Sequence, residues 1–362
     1  MRHLELFAGI GGFRRALDLI QQDLHIPMEC VGFSEIDTRA VQTYTTNYQP
    51  TEHEVLGDIV ALTNDQVRLQ NIPDFDILTG GFPCQTFSLM GEQAGFGEDR
   101  GQMFFRIMDI LETKRANNHL PRYILLENVK NLLRHDNGRT YTRIRAELRR
   151  LGYDVVETIL NTRDFALPQK RSRLIIFASL DPIPNEIKMD IANNGIQTYY
   201  EHLPNGDSTF KYDTVNDILA QEVEAKYYLS ARVKPTIISD GTGGYHSKSK
   251  INLPIARTLT ASMHKMHRAC QDNYYSDAFI TSHGANDDSE GLTKEQICEL
   301  NIRKLTPEEA FMLQGFPAEF ATNARLNGVS NGALYKQAGN AVSVNVIYAV
   351  FRYLIDNNLI VE

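Results

Sequence analysis

MRHLELFAGIGGFRRALDLIQQ, residues 1–22, decides the fold. HLELFAG is an apolar run of strand length, glycines then interrupt it, and FRRALDLIQQ carries a helical pattern. Gly9, Gly11 and Gly12 permit a tight turn and close approach of a ligand to the backbone. The same alternation continues along the first half of the chain. ECVGFSEI, EVLGDI, FDILTGG, RYILLENV, DVVETILN and RLIIFAS read as further strands. TRAVQTYTTNY, FFRIMDILETKR and TYTRIRAELRRLG read as helices among them. Strands alternating with helices predict an α/β fold with a largely parallel sheet.

The chain has 362 residues, 42% of them hydrophobic, which suits one large domain and a smaller one. No apolar run reaches the roughly 18–20 residues of a membrane span. MRHLELFAGIGGFRRAL lacks the layout of a signal peptide. The expectation is a cytoplasmic protein with no membrane partner. Cys30, Cys84, Cys270 and Cys298 are scattered without a C-x-x-C pair, so neither a disulfide framework nor a metal site is expected. The net charge of −8 argues against a general nucleic-acid coat protein. Residues 241–271 nevertheless contain no Asp or Glu and carry Lys248, Lys250, Arg257, Lys265 and Arg268. That stretch reads either as a solvated loop face or as a local basic surface.

Near residue 180 the pattern changes. Residues 181–302 are irregular and rich in Asn, Gly, Ser and Tyr, as in a smaller loop-rich domain. RKLTPEEAFMLQGFP then has helical periodicity, with Thr306 as cap, Pro307 at the first helical position and Glu309 three residues after the cap. GNAVSVNVIYAVFRYLIDNN reads as a loop feeding an amphipathic helix that returns to the first domain. The expected organisation is therefore a discontinuous domain of 1–180 with 330–362, a second domain of 181–302, and a connecting segment of 303–329.

Ligands of open α/β sheets sit outside the carboxyl ends of the strands, and the unusual residues fall there. FAGIGG ends the first predicted strand, Glu35 the second and Asp58 the third; Pro83-Cys84 follows the fourth, and Glu127-Asn128 ends the fifth. The dinucleotide fingerprint G-x-G-x-x-G fails because Arg14 stands at its third glycine, which counts against a nicotinamide enzyme. Glu35 suits paired ribose hydroxyls, and Asp58 an adenine amino group. The implied ligand is a nucleoside with no required pyrophosphate, and S-adenosylmethionine fits. Taken singly, either carboxylate also fits a solvated turn. Cys84 is held by a preceding proline, and Glu127 lies at the neighbouring strand end. A thiol beside a carboxylic acid, without a committed histidine, suits attack on an electron-poor ring carbon.

These residues resemble the DNA (cytosine-5) methyltransferase family of bacteria and phages, along nearly the whole chain. LFAGIGG (6–12) is similar to its first cofactor motif, GGFPCQTFS (80–88) to its nucleophile motif and ENVKNLL (127–133) to its Glu-Asn-Val motif. QKRSRLIIF (169–177) is similar to its Gln-x-Arg-x-Arg motif, and RKLTPEEAFMLQGFP (303–317) and QAGNAVSVNV (337–346) to its last two. The resemblance implies a Rossmann-like, S-adenosylmethionine-dependent methyltransferase fold. Its sheet is mixed and mostly parallel, with helices on both faces, and a smaller irregular target-recognition domain is attached.

The family's roles carry over onto the matching positions. Cys84 attacks carbon 6 of a flipped cytosine, and Glu127 contacts its amino group and ring nitrogen 3. Arg173, and secondarily Arg171, hold the base's carbonyl oxygen and support Glu127. Phe7 stacks on the adenine of S-adenosylmethionine, Glu35 binds the ribose, and Asp58 and Ile59 flank the base. Pro83, Asn340 and Ala341 complete the pocket. Ile36 stands where the family often has a tryptophan, which predicts a retuned pocket. SLMGEQAGFGEDRG (88–101) corresponds to the loop that closes over DNA, with Ser88 and Arg100 as backbone contacts and Gln93 entering the vacated stack. ARTLTA (256–261) resembles the Thr-Leu element of the target-recognition domain, with Thr258 on a phosphate. Lys248, Lys250 and Arg257 then supply phosphate affinity.

The implied partner is double-stranded DNA, acted on by a monomer. Whether a restriction endonuclease shares its site is left open, as is the site itself. Two rivals remain: the tRNA-methylating branch of the same family, and a catalytically silent DNA-binding homologue. QTFS and LQGFP disfavour the first, and intact Cys84 and Glu127 the second.

Overall fold

The computed structural model describes residues 1–83, 103–203, 211–240 and 247–361. All seven predicted strands form: β1 (Arg2–Leu6), β2 (Glu29–Ser34), β3 (Val55–Gly57), β4 (Ile77–Gly80), β5 (Tyr123–Val129), β6 (Asp154–Asn161) and, after the short β7 (Gln169–Lys170), β8 (Ser172–Ser179). The main sheet has the order β3-β2-β1-β4-β5-β8-β6. Strands β1 to β5 run parallel, and β8 is antiparallel to both β5 and β6.

Side-chain alternation gives the sheet two buried faces. Leu4, Leu6, Leu78, Ile124, Leu126 and Ile176 share one apolar cluster with Ile107 and Leu111 of the helix Met103–Ala116 and Ile144 and Leu148 of the helix Arg139–Arg150. Glu5 and Phe33 point the other way, onto Tyr44 of the helix Thr38–Tyr48. Helices therefore cover both faces. β1 stops at Leu6 because Phe7 turns left-handed, with φ of 54°. β3 stops at Gly57 because Asp58 caps the next helix, Ile59–Asn64.

The chain divides into two compact units, Met1–Asn161 with Ser172–Pro204 and Val346–Glu362, and Thr162–Arg171 with Asn205–Asn345. These boundaries differ from those expected at 180, 302 and 330. Residues beyond 180 stay with the sheet because Lys188 pairs with Asp154 at 2.6 Å and Tyr353 donates to Asp190 at 2.6 Å. Residues 303–329 lie in the second unit because Arg303 and Glu309, both almost fully buried, form a two-pronged pair at 2.8 and 2.9 Å. The same two side chains hold the main-chain oxygen and nitrogen of Ala220. The expected cap is present: Thr306 and Glu309 form a capping box on Pro307–Met312.

The second unit has its own core of Leu229, Ile237, Ile251, Tyr274 and Ile302, among others, and its strand pairs among the described residues are short. β9 (Ala256–Arg257) runs parallel to β7, and β10 (Tyr274–Ser276) antiparallel to β11 (Ile302–Lys304). The amphipathic C-terminal helix is Val344–Asp356. Residues 331–356 are apolar enough to resemble a membrane span, but the helix breaks at 341–343 and 78% of its most apolar window is buried.

Candidate active site

The carboxyl ends of the parallel strands lie in one row. Leu6 pairs with Ser34 and Gly80, Ser34 with Gly57, and Gly80 with Leu126. Phe7, Glu35, Asp58 and Glu127 each follow that row by one residue, and Pro83 by three. Strand order reverses between β1 and β4, which is where α/β sheets open a ligand crevice.

The turn after β1 is wound tightly. Phe7, Gly9 and Gly11 have φ of 54, 56 and 81°. A left-handed phenylalanine costs roughly 1–2 kcal/mol, and such strain gathers at ligand sites. Its half-buried ring packs against the sheet core. Glu35 secures the turn: Gly9 N donates to its Oε2 at 2.8 Å, while Ile36 N and Asp37 N donate to Oε1 at 2.9 and 2.8 Å. A carboxylate offers about four lone-pair sites, so these bonds leave room for one ribose hydroxyl, not the expected pair. Ile36 is 71% exposed beside it, an apolar surface open to a ring. Asp58 Oδ1 accepts from Val60 N at 2.9 Å, which leaves Oδ2 for a ligand. Ile59 is 4% exposed and belongs to the core, so only its main chain reaches the rim.

On β5, Glu127 is nearly buried, and Arg173 Nε lies 2.8 Å from its Oε1. The register makes them diagonal neighbours, because Val129 faces Arg173 and Glu127 faces Ile175 across the β5–β8 pair. Next to Glu127, Asn128 donates its side-chain N–H to Phe82 O at 2.8 Å. That bond holds the buried Phe82 just before exposed Pro83. Cys84, Ser88, Gln93 and Arg100 lie outside the described residues.

Arg171, Thr258, Arg257, Lys248, Lys250, Asn340 and Ala341 belong to the second unit. Arg171 is 2% exposed and donates to Leu259 O, Gly339 O and Ala341 O at 3.1, 3.2 and 2.8 Å. In place of the expected base contact, it holds the backbone around Asn340 and Ala341. Asn340 is exposed at the end of the helix Asn331–Asn340, and Ala341 is buried. Gly339 lets that helix touch the 260–261 backbone, since a Cβ there would sit 2.2 Å from Thr260 C. Lys248 and Lys250 are exposed. Arg257 is half-buried and spends Nη1 on Lys250 O and Asp272 O at 3.2 and 3.3 Å, so it braces the fold where a phosphate contact was expected. Thr258 Oγ1 donates to Lys170 O, which leaves that hydroxyl only as an acceptor.

Three residues hold these main-chain positions although the sequence assigns them no such role. Asn128 is signalled only by its place beside Glu127. Gln169 bridges Leu313 O and Leu259 N at 2.8 and 2.9 Å, and opens the motif that holds both arginines. Tyr48 donates to Gly11 O at 2.7 Å, with no signal beyond helical spacing from Tyr44.

A family model described as C-5 cytosine-specific DNA methylase matches residues 1–356. The chain is 35% identical over 347 residues to the Type II methyltransferase M.NlaX of Neisseria lactamica, covering 96% of this chain and 94% of that protein. It is 33% identical over 356 residues to the Type II methyltransferase M.HaeII of Haemophilus aegyptius, covering 98% and 92%. Among solved structures, the Dnmt2 methyltransferase of S. pombe superposes with a TM-score of 0.74 at 22% identity, covering 99% of this chain and 100% of that one, a likeness of fold. With a match of that extent and relatives of that identity, the chain belongs to the C-5 cytosine-specific DNA methylase family.

Proposed function

We propose that this protein methylates carbon 5 of a cytosine turned out of a specific sequence in duplex DNA, with S-adenosylmethionine as cofactor. The observation that carries the reading is the Glu127–Arg173 pair at the β5 rim, beside the Asn128 bond to Phe82 O.

The donor set at the neighbouring strand ends fits the cofactor. Glu35 Oε2 would take a ribose hydroxyl, Asp58 Oδ2 the adenine amino group, and Phe7 and Ile36 the faces of the ring. The cofactor supplies an electrophilic methyl group. Cys84, as thiolate, forms a bond to carbon 6 of the base and pushes electron density onto carbon 5. Glu127, as the carboxylic acid, accepts from the amino group and donates to ring nitrogen 3, which stabilises that charge. Arg173 keeps the carboxyl in place and reaches toward the base's carbonyl oxygen. Carbon 5 would take the methyl group as its bond to the sulfonium sulfur breaks, leaving S-adenosylhomocysteine; the carbon 5 proton would then pass to a water or a basic side chain and the carbon 6–sulfur bond would break, which restores the thiolate. Flipping the base costs roughly a few kcal/mol, offset by contacts from 88–101 and by phosphate binding at Lys248 and Lys250. We take the protein to act as a cytoplasmic monomer, alone or beside a restriction endonuclease of the same site.

The test is transfer of labelled methyl from S-adenosylmethionine to long duplex DNA of mixed sequence, followed by digestion to nucleosides. Label in 5-methyldeoxycytidine is expected, and Cys84→Ser should abolish it while retaining cofactor binding. Label in tRNA and none in DNA would overturn the reading.

A further inference from the structure

The turn that carries Gly9 and Gly11 rests on an aromatic platform. Tyr44 and Tyr48 stand four residues apart on one face of the helix Thr38–Tyr48. Gly11 lies directly on both rings: a Cβ at Gly11 would sit 2.4 Å from the Tyr48 ring and 2.9 Å from the Tyr44 ring. Tyr48 Oη donates to Gly11 O at 2.7 Å. Tyr44 stacks on Phe33 of β2, with ring centres 3.9 Å apart and planes 14° apart, and its hydroxyl donates to Glu5 Oε2 at 3.0 Å. Arg14, in the first turn of the helix that leaves the loop, places its guanidinium 4.8 Å from the Tyr48 ring centre and 5.7 Å from that of Tyr44. Nη1 of the same guanidinium lies 3.5 Å from Glu54 Oε2.

Two side chains pin the turn, Glu35 at Gly9 N and Tyr48 at Gly11 O, in addition to the main-chain bonds from Ala8 N to Ser34 O, Gly11 N to Ala8 O and Arg15 N to Gly11 O. The first pin comes from a residue already assigned to the ligand. The second comes from a residue whose hydroxyl is committed to the protein's own backbone. Phe7, Gly9 and Gly11 are all left-handed along this turn, so loss of a side-chain pin shifts part of the population toward ordinary backbone. A ligand that needs the wound conformation then binds only the fraction of molecules that retain it, and its apparent affinity falls by that fraction.

We propose that Tyr48 is a positioning residue for the cofactor, and that its bond to the Gly11 carbonyl keeps the β1 turn in the binding-competent form before the cofactor arrives. The inference rests on the reading of this rim as the S-adenosylmethionine site. Tyr44 has a different task in this arrangement. Its hydroxyl is spent on Glu5, so it supports the platform and touches the turn only through its ring.

The difference between the two tyrosines makes the test. Tyr48→Phe and Tyr44→Phe each delete one hydroxyl and keep the ring. Equilibrium dialysis with labelled S-adenosylmethionine gives Kd for each, steady-state methylation gives KM and kcat, and thermal melting reports fold integrity. Tyr48→Phe is expected to raise Kd and KM for the cofactor roughly tenfold, the effect of one lost neutral hydrogen bond. KM for DNA, and kcat at saturating cofactor, should stay within twofold of the parent. Tyr44→Phe should lower the melting temperature and leave cofactor Kd within twofold. Unchanged cofactor affinity in Tyr48→Phe, or a loss spread equally over kcat and both KM values, overturns the proposal. Failure of the parent protein to bind S-adenosylmethionine at all removes the cofactor reading, and this inference with it.

Discussion

The central strand carries an unusual pair, and the pair contributes two opposed slopes to the pH dependence of stability. His3 and Glu5 lie two apart on β1, point to the same face, and are fully buried. Burial pushes the Glu5 carboxyl up to about 8, although the Tyr44 hydroxyl and Arg14 favour its ionised form. Burial, helped by Arg14, pushes the His3 imidazole down to about 3. Glu5 binds its proton more tightly in the folded state. Its contribution is complete below the unfolded value near 4.5 and is lost as pH rises toward 8. His3 does the reverse, complete above about 6.5 and lost as pH falls toward 3. At about 1.4 kcal/mol per unit, each contributes on the order of 5 kcal/mol over its window. The two slopes oppose one another between about pH 4.5 and 6.5, which gives a plateau there. Above it, of the two, only Glu5 still titrates, and its contribution declines by about 2 kcal/mol by pH 8. Glu5→Gln removes that titration while its amide oxygen still accepts from Tyr44. Urea unfolding of both proteins at pH 5, 6.5 and 8 reads the effect. The variant should gain steadily on the parent as pH rises, by about 4 kcal/mol between pH 5 and 8 at the upper bound. A constant offset between the two curves across that range would refute the assignment of a neutral, buried Glu5.

Arg173→Ala strips the guanidinium from Glu127, and kcat for methyl transfer should fall on the order of a hundredfold with cofactor Kd within twofold, measured by single-turnover assay and dialysis. Equal losses in both would place Arg173 in the scaffold alone. Gly11→Ala forces a Cβ into Tyr48 and a side chain into left-handed backbone. It should cost at least about 1–2 kcal/mol in urea unfolding and weaken cofactor binding further than Tyr48→Phe does. Glu309→Gln leaves Arg303 charged and buried without its two-pronged partner. A loss of about 3–5 kcal/mol is expected, seen as a lower melting temperature, and a change under 1 kcal/mol would show that the pair adds little.

The strands and the rim were legible because their signals are local. Alternating apolar runs, glycine breaks and a Thr-Pro-x-Glu cap act within a few residues, and each is present where expected. Strand order was not legible, since nothing in RLIIFAS says that β8 enters between β5 and β6 and runs against both. Side-chain partners were less legible still. Charge marks Arg257 as a phosphate ligand, yet its guanidinium is half-buried and bonded to two carbonyls of its own chain. The Gln-x-Arg-x-Arg stretch shows the reason most sharply. On an extended chain its three named residues alternate in step, and a common role follows from that spacing alone. The structure ends β7 at Lys170, begins β8 at Ser172, and divides the compact units between Arg171 and Ser172. Gln169 and Arg171 therefore serve the backbone of one unit, while Arg173, two residues on, serves Glu127 in the other. A motif read as one catalytic element is a junction, and its arginines divide the work because each satisfies the unpaired groups of the unit it enters.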